Sequence, residues 1–247
     1  MSGDPLWANV VLLTAFDGVD GATTVTDESP AANGASTFVG NAQLDTAQQK
    51  FGSASLLLDG TGDYATWPDD ADWILDGDFC IEGWIRFNSV ASNESFISHY
   101  TNGGSQRAWW LRWQTTNTLE WVFSTDGAAT TTRSGAWTPV ADTWYHWAVE
   151  RVGTTLTAYI DGVAKISSTM SGTTFNSTAT LRIGFADSTD DMPADGWIDE
   201  VRFTKGAYRY NGAFTPPSAA FPRGPFTGAQ TIRRGPNARN FASHLVR

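Results

Sequence analysis

Apolar and polar residues alternate along most of this chain with a period of two, the signature of strands with one buried face. The clearest case is Phe79 to Phe87. Phe79, Ile81, Gly83, Ile85 and Phe87 fall on one side, and Cys80, Glu82, Trp84 and Arg86 on the other. That pattern predicts a strand covered on one face and partly open on the other. Similar runs predict strands over Val10–Phe16, Ala54–Leu58, Trp109–Trp113, Leu119–Ser124 and Trp144–Val152. Thr155–Ile160, residues 164–168, Leu181–Phe185 and Trp197–Thr204 continue the series. Turn signals separate them: Asp17-Gly18, Asp59-Gly60-Thr61-Gly62 and Asp161-Gly162, where glycine can take positive φ. No window carries sustained helical periodicity with caps. The pattern predicts an all-β, two-sheet antiparallel jelly-roll sandwich.

Composition supports one large domain. With 247 residues, 41% hydrophobic and 17% charged, the chain can bury a sizeable core. Its 24 glycines and 12 tryptophans suit short strands and tight turns. Cys80 is the single cysteine, which excludes an internal disulfide and a multi-cysteine zinc site. No apolar run approaches the roughly 20 residues that span a bilayer. The start, MSGDPLWANVVLL, lacks a basic region before its short apolar stretch and does not read as a secretory signal.

Charge divides the chain. All 26 acidic residues but only 11 of the 16 basic ones precede residue 223, so residues 1–222 carry a net −15. The last 25 residues hold five arginines and no acid. An acidic body argues against nucleic acid as a partner. The contrast predicts a domain at 1–222 and a basic, extended C-terminal arm at 223–247. In that arm Arg233, Arg234 and Arg239 supply charge, and Phe226, Ile232 and Phe241 supply apolar plugs.

Hydrolytic chemistry finds little support. A retaining glycosidase needs two carboxylates about 5–5.5 Å apart, and strand alternation places the neighbours Asp199 and Glu200 on opposite faces. The three histidines, His99, His146 and His244, accompany no Gly-x-Ser-x-Gly elbow and no zinc-ligand spacing. Carbohydrate binding rests on aromatics, since sugar rings stack their C–H faces on indole. Trp84, Trp110, Trp113, Trp121, Trp144, Trp147 and Tyr159 all lie on predicted strands. Trp84 with Glu82 and Arg86 on one strand face is the expected glycan platform, although a sandwich core also consumes tryptophan.

Six stretches in order resemble a laminin-G-like, concanavalin A-like jelly-roll domain of the type found in bacteriophage virion proteins. They are VVLLTAFDG (10–18), KFGSASLLLDGTGDYATWP (50–68) and GDFCIEGWIRF (77–87), then TWYHWAVERVGTTLTAYIDGVA (143–164), LRIGFADS (181–188) and GWIDEVRFTKGAYRYNGAFTPPSAAFP (196–222). The resemblance implies two sheets packed face to face, and a structural calcium ion at a sandwich edge with Asp17 and Asp199 at matching positions. Asp187, Asp190, Asp191 and Asp195 form a second acidic group. As a function it implies a non-enzymatic capsid-decoration or tail protein. Such a protein is made in the host cytoplasm, forms homo-oligomers on the particle and is attached by its arm to other virion subunits. The alternatives are a stand-alone lectin-like module for host surface glycan and, more weakly, a glycoside hydrolase.

Overall fold

Register across Phe79–Phe87 turns the alternation into architecture. In the computed structural model, which describes residues 3–187 and 192–227, this segment is a nine-residue strand at the centre of a sheet. In chain order the strands are β1 (Val10–Thr14), β2 (Thr37–Val39), β3 (Gln43–Asp45), β4 (Ser55–Asp59) and β5 (Tyr64–Trp67). There follow β6 (Phe79–Phe87), β7 (Glu94–Thr101), β8 (Gln106–Gln114), β9 (Thr118–Phe123) and β10 (Thr131–Ala136). The last five are β11 (Trp144–Val152), β12 (Thr155–Ile160), β13 (Val163–Thr169), β14 (Leu181–Ile183) and β15 (Asp195–Lys205).

They form two antiparallel sheets. One runs β13-β12-β11-β6-β15-β4-β3, with β1 also paired to β15; the other runs β10-β9-β8-β7-β14-β5-β2. This is the expected all-β sandwich. Five strands carry no strong pattern in the sequence. The most instructive is β7, whose Ser95, Ser98 and His99 are buried, so polar residues interrupt the apolar alternation without facing water.

The core lies between the sheets. Phe79, Ile81, Ile85 and Phe87 of β6 meet Trp109, Trp113 and Trp121 of the opposite sheet. Trp109 and Trp121 stack at 5.6 Å, and Gly83 leaves space for Trp147, whose ring carbon would be 2.8 Å from a Cβ there. Burying an aromatic side chain removes 150–250 Å² from water, so this cluster dominates the stability of the sandwich.

Residues 206–227 form a strap across the outer face of the eight-stranded sheet. Phe214 approaches the β12–β13 turn so closely that a Cβ on Gly162, at φ +74°, would fall 1.7 Å from its carbonyl oxygen. Glu150 holds the strap by its backbone, accepting from the amides of Arg209 (3.2 Å), Tyr210 (3.0 Å) and Asn211 (2.6 Å). Phe221 packs on Val10 and Leu13. Arg223–Phe226, assigned to the arm by composition, belong to this packed layer: Asp4 N–H donates to Gly224 O, and Phe226 N–H donates to Asp4 O.

Candidate functional site

The outer side of β6 decides where a ligand can reach this sheet. Glu82 lies wholly buried beneath the strap, 2.6 Å from Arg202 Nη2 and 3.2 Å from His146 Nε2, and it accepts the Tyr210 hydroxyl. Burial alone would raise its pKa. The Arg202 guanidinium, the His146 hydrogen bond and Arg209 reverse that and hold the carboxyl well below the usual range. Trp84 is 4% exposed, with Lys50 Nζ 4.1 Å over its ring and Phe51 edge-on at 5.7 Å. The partly open platform expected along this strand is therefore closed at Glu82 and Trp84. The sequence does not reveal that later residues of the strap cover Glu82 and that Lys50 and Phe51, from an earlier turn, cover Trp84.

Arg86 alone of the three reaches the surface, and its partners lie across the strands. Register places Trp144 of β11 on one side of it and Trp197 of β15 on the other. Both indoles are half-buried. The Arg86 guanidinium stands 4.8 Å from the Trp197 ring centre and pairs with Asp142 at 2.9 Å. The Trp197 indole N–H donates to Asp45 at 2.7 Å, which fixes the ring. Neighbouring strands lie about 4.8 Å apart, so the backbones at Trp144 and Trp197 are separated by roughly 10 Å. The row offers two aromatic surfaces and a planar donor whose charge is already balanced. Such a surface can stack on sugar rings and donate to hydroxyls without demanding an anion.

Trp144 was legible as an aromatic on a strand, whereas Trp197 carried no signal beyond its position in the last strand. Trp110, Trp113, Trp121, Trp147 and Tyr159 are buried. Their aromatic character is used in packing.

Asp17 and Asp199 grip one turn. Asp199 Oδ2 accepts from Lys50 N (2.7 Å) and Phe51 N (3.0 Å), and Asp17 Oδ1 accepts from Ser53 N (2.5 Å). Arg223 reaches Asp17 (2.9 Å), Glu28 (3.2 Å) and Glu200 (3.3 Å), so a guanidinium supplies the positive charge. Asp199 Oδ1 is buried without a partner, but among the described residues no three acids or histidines converge to hold a metal. Calcium takes six to eight oxygens, and these side chains, engaged with amides and Arg223, do not fit that need.

A β-bulge between Asp199 and Arg202, with Glu200 at φ +50°, breaks the alternation predicted for Asp199 and Glu200. Glu200 turns to the strap, accepting from Phe221 N at 2.8 Å, while Asp199 turns to the 50–51 amides. Burial raises Asp199 to about 8 and Glu200 to about 7. Of the second acidic group, Asp187 accepts from Asn102 N at 2.7 Å and Asp195 begins β15; Asp190 and Asp191 lie outside the described residues. So do Ile232, Arg233, Arg234, Arg239 and Phe241 of the arm, whereas Phe226 is half-buried. Cys80 is buried, and desolvation pushes its thiol well up, which suits a packed side chain and not a nucleophile.

The two sheets and their strand order define a known architecture. The family Laminin_G_3, of the concanavalin A-like lectin/glucanases superfamily, matches residues 59–209. The chain belongs to this family. No curated protein matches it. Among solved structures it is similar to domain 4 of AbnA, a GH43 extracellular arabinanase from Geobacillus stearothermophilus, in complex with arabinotriose. That match has a TM-score of 0.56 at 20% identity and covers 84% of this chain and 95% of that one. The binding domain of Paraclostridial Mosquitocidal Protein 1 matches with a TM-score of 0.60 at 13% identity, over 83% of this chain and 51% of that one. A structure of botulinum neurotoxin type C, whose cell entry depends on interaction with two ganglioside molecules, matches with a TM-score of 0.59. Identity there is 14%, over 83% of this chain and 50% of that one. The chain thus spans nearly all of the arabinanase domain and about half of the toxin chains. At these identities the likeness establishes the concanavalin A-like fold.

Proposed function

We propose that this Laminin_G_3 domain is a non-enzymatic carbohydrate-binding module that takes glycan on the Trp144–Arg86–Trp197 row. The observation that carries the reading is the row itself: two half-buried indoles flanking a charge-balanced arginine, beside positions closed by the strap at Glu82 and by Lys50 and Phe51 at Trp84. The absence of catalysis is supported by the burial of Glu82, Asp199 and Glu200 beneath other side chains. Fold relatives in complex with arabinotriose, or dependent on gangliosides for cell entry, add support by analogy. A glycan array followed by titration calorimetry tests the reading. Trp197→Ala and Trp144→Ala should each lower affinity at least about tenfold, a loss of some 1.4 kcal/mol, with the β-sheet circular dichroism of the wild type retained. Equal binding by wild type and both variants, or no glycan bound at all, overturns it.

The setting we propose is the surface of a phage particle, on capsid or tail, with other virion subunits as partners. Supporting it are the resemblance carried by residues 196–222 and the contrast between an acidic domain and a C-terminal segment without acids. Deleting residues 228–247 should leave the domain folded and abolish its co-sedimentation with particles. Undiminished incorporation would remove the anchoring role.

A further inference from the structure

At the rim of the sandwich, next to the aromatic row, lies a cleft of about 550 Å³ between the loop after β4, the β6–β7 loop, the end of β8 and the approach to β15. Its side-chain donors and acceptors among the described residues are Thr61, Ser92, Asn93 and Thr115; glycine, alanine and proline supply the rest, and no charged or aromatic side chain among the described residues lines it. We propose that the row and this cleft form one continuous path that binds an uncharged oligosaccharide along its length. This rests on the carbohydrate-binding reading above and extends it to a second subsite and a ligand class.

Continuity follows from register. Asp195 is two residues before Trp197 and so lies on the same face, roughly 7 Å nearer the rim. Asn88 occupies the matching place two residues after Arg86, and its Nδ2 donates to Asp195 Oδ1 at 3.1 Å. Asp59 pairs in register with Asp195 on the far side. A Cβ on Gly60, in the cleft wall, would sit 3.1 Å from Asp195 Cβ. Two aromatics thus give way to a polar row, and the polar row to a cleft of hydroxyls.

The cleft is held open by hydrogen bonds between its walls. Glu94 is buried beneath it and accepts from Asp195 N (2.6 Å) and Ser92 Oγ (3.2 Å), tying two loops together. Gly60 N–H donates to Ala194 O at 3.1 Å, and Thr115 N–H to Asn93 Oδ1 at 2.9 Å. A preformed cleft binds without the cost of ordering its loops. Charge selects the ligand. Asp59 and Asp195 border the path, Arg86 is already paired with Asp142, and among the described residues the lining contains no cation to receive a carboxylate or sulfate. Anionic saccharides are disfavoured there, and a neutral chain of hydroxyls is matched.

The experiment uses an array of neutral oligosaccharides from one to six units, with sialylated and uronate-containing counterparts, probed with the full chain. Wild type should bind long neutral members at least about tenfold tighter than short ones and should not prefer the acidic set. Thr61→Trp fills the cleft from an exposed position; it should abolish the gain with length while leaving binding of short members and the melting temperature unchanged. Thr115→Trp should do the same from the opposite wall. If both fillers keep the gain with length, or if acidic members bind best, the path is wrong while binding at the row stands. If Trp197→Ala is also without effect, or nothing binds, the carbohydrate reading falls with it.

Discussion

Arg202 places its Nη2 2.6 Å and its Nε 2.9 Å from a single oxygen of Glu82, with Asp4 closing its other side at 3.0 Å. The pair joins the middle of the eight-stranded sheet to the strap, because Tyr210 and Arg209 bind the same two acids from above. Removing one partner of a buried ion pair leaves a bare charge and typically costs about 3–5 kcal/mol. Arg202→Ala should lose stability of that order in denaturant titration. It should also open residues 206–222 to proteolysis before the remainder unfolds.

Stability should fall as pH rises from about 5 to 9. Burial raises Glu94 to about 9, Asp199 to about 8 and Glu200 to about 7. Through that window the folded chain keeps protons that the unfolded chain has released. Each group then lowers stability progressively as pH rises, until its folded pKa is passed. Glu82 and Asp17 have lowered values and act oppositely, their contribution lost only below the ordinary carboxylate range. The maximum therefore falls near pH 5. Melting temperatures from pH 4 to 9 check this, and Glu94→Gln should flatten the alkaline decline.

Gly162→Ala tests the seat of the strap. The substitution meets Phe214 O at 1.7 Å and retains a left-handed φ of +74°, so it combines a clash with backbone strain. A loss of about 2–3 kcal/mol is expected from chemical denaturation. Gly153→Ala, also left-handed but with nothing within 4 Å, should cost only the strain of about 1–2 kcal/mol.

Melting in excess calcium and in EDTA should coincide, because Arg223 already balances Asp17, Glu28 and Glu200. Arg223→Gln should lower the melting temperature by leaving those carboxylates facing one another. A rise with calcium in wild type would contradict the assignment of Arg223 as the resident cation.

The sandwich was legible because β6, β11 and β12 have a buried inner face written as alternation, and their bounds match the sequence pattern. Strands such as β10 (TTRSGA) were not, since their residues pair at an edge without a hydrophobic side. The site was half legible. Arg86 and Trp144 stood out by type, but which residues flank Arg86 depends on strand order, and β15 reaches β6 from more than a hundred residues away. The burial of Glu82 was hidden for the same reason: the strap that covers it follows the last strand. Local pattern reports which way a side chain points, and only topology reports what lies above it.

The contact between Asp4 and Pro225 is parallel, with Asp4 donating to Gly224 O and accepting from Phe226 N. In a parallel pair the chain enters at one end of the contact and leaves at the other. Tension applied through both ends of the domain would act along these two hydrogen bonds in shear. The Asp4 ion pairs to Arg202 and Arg209 would be loaded at the same moment. They would have to break together and could not peel one by one, so the fold resists drag at the place where force would enter it.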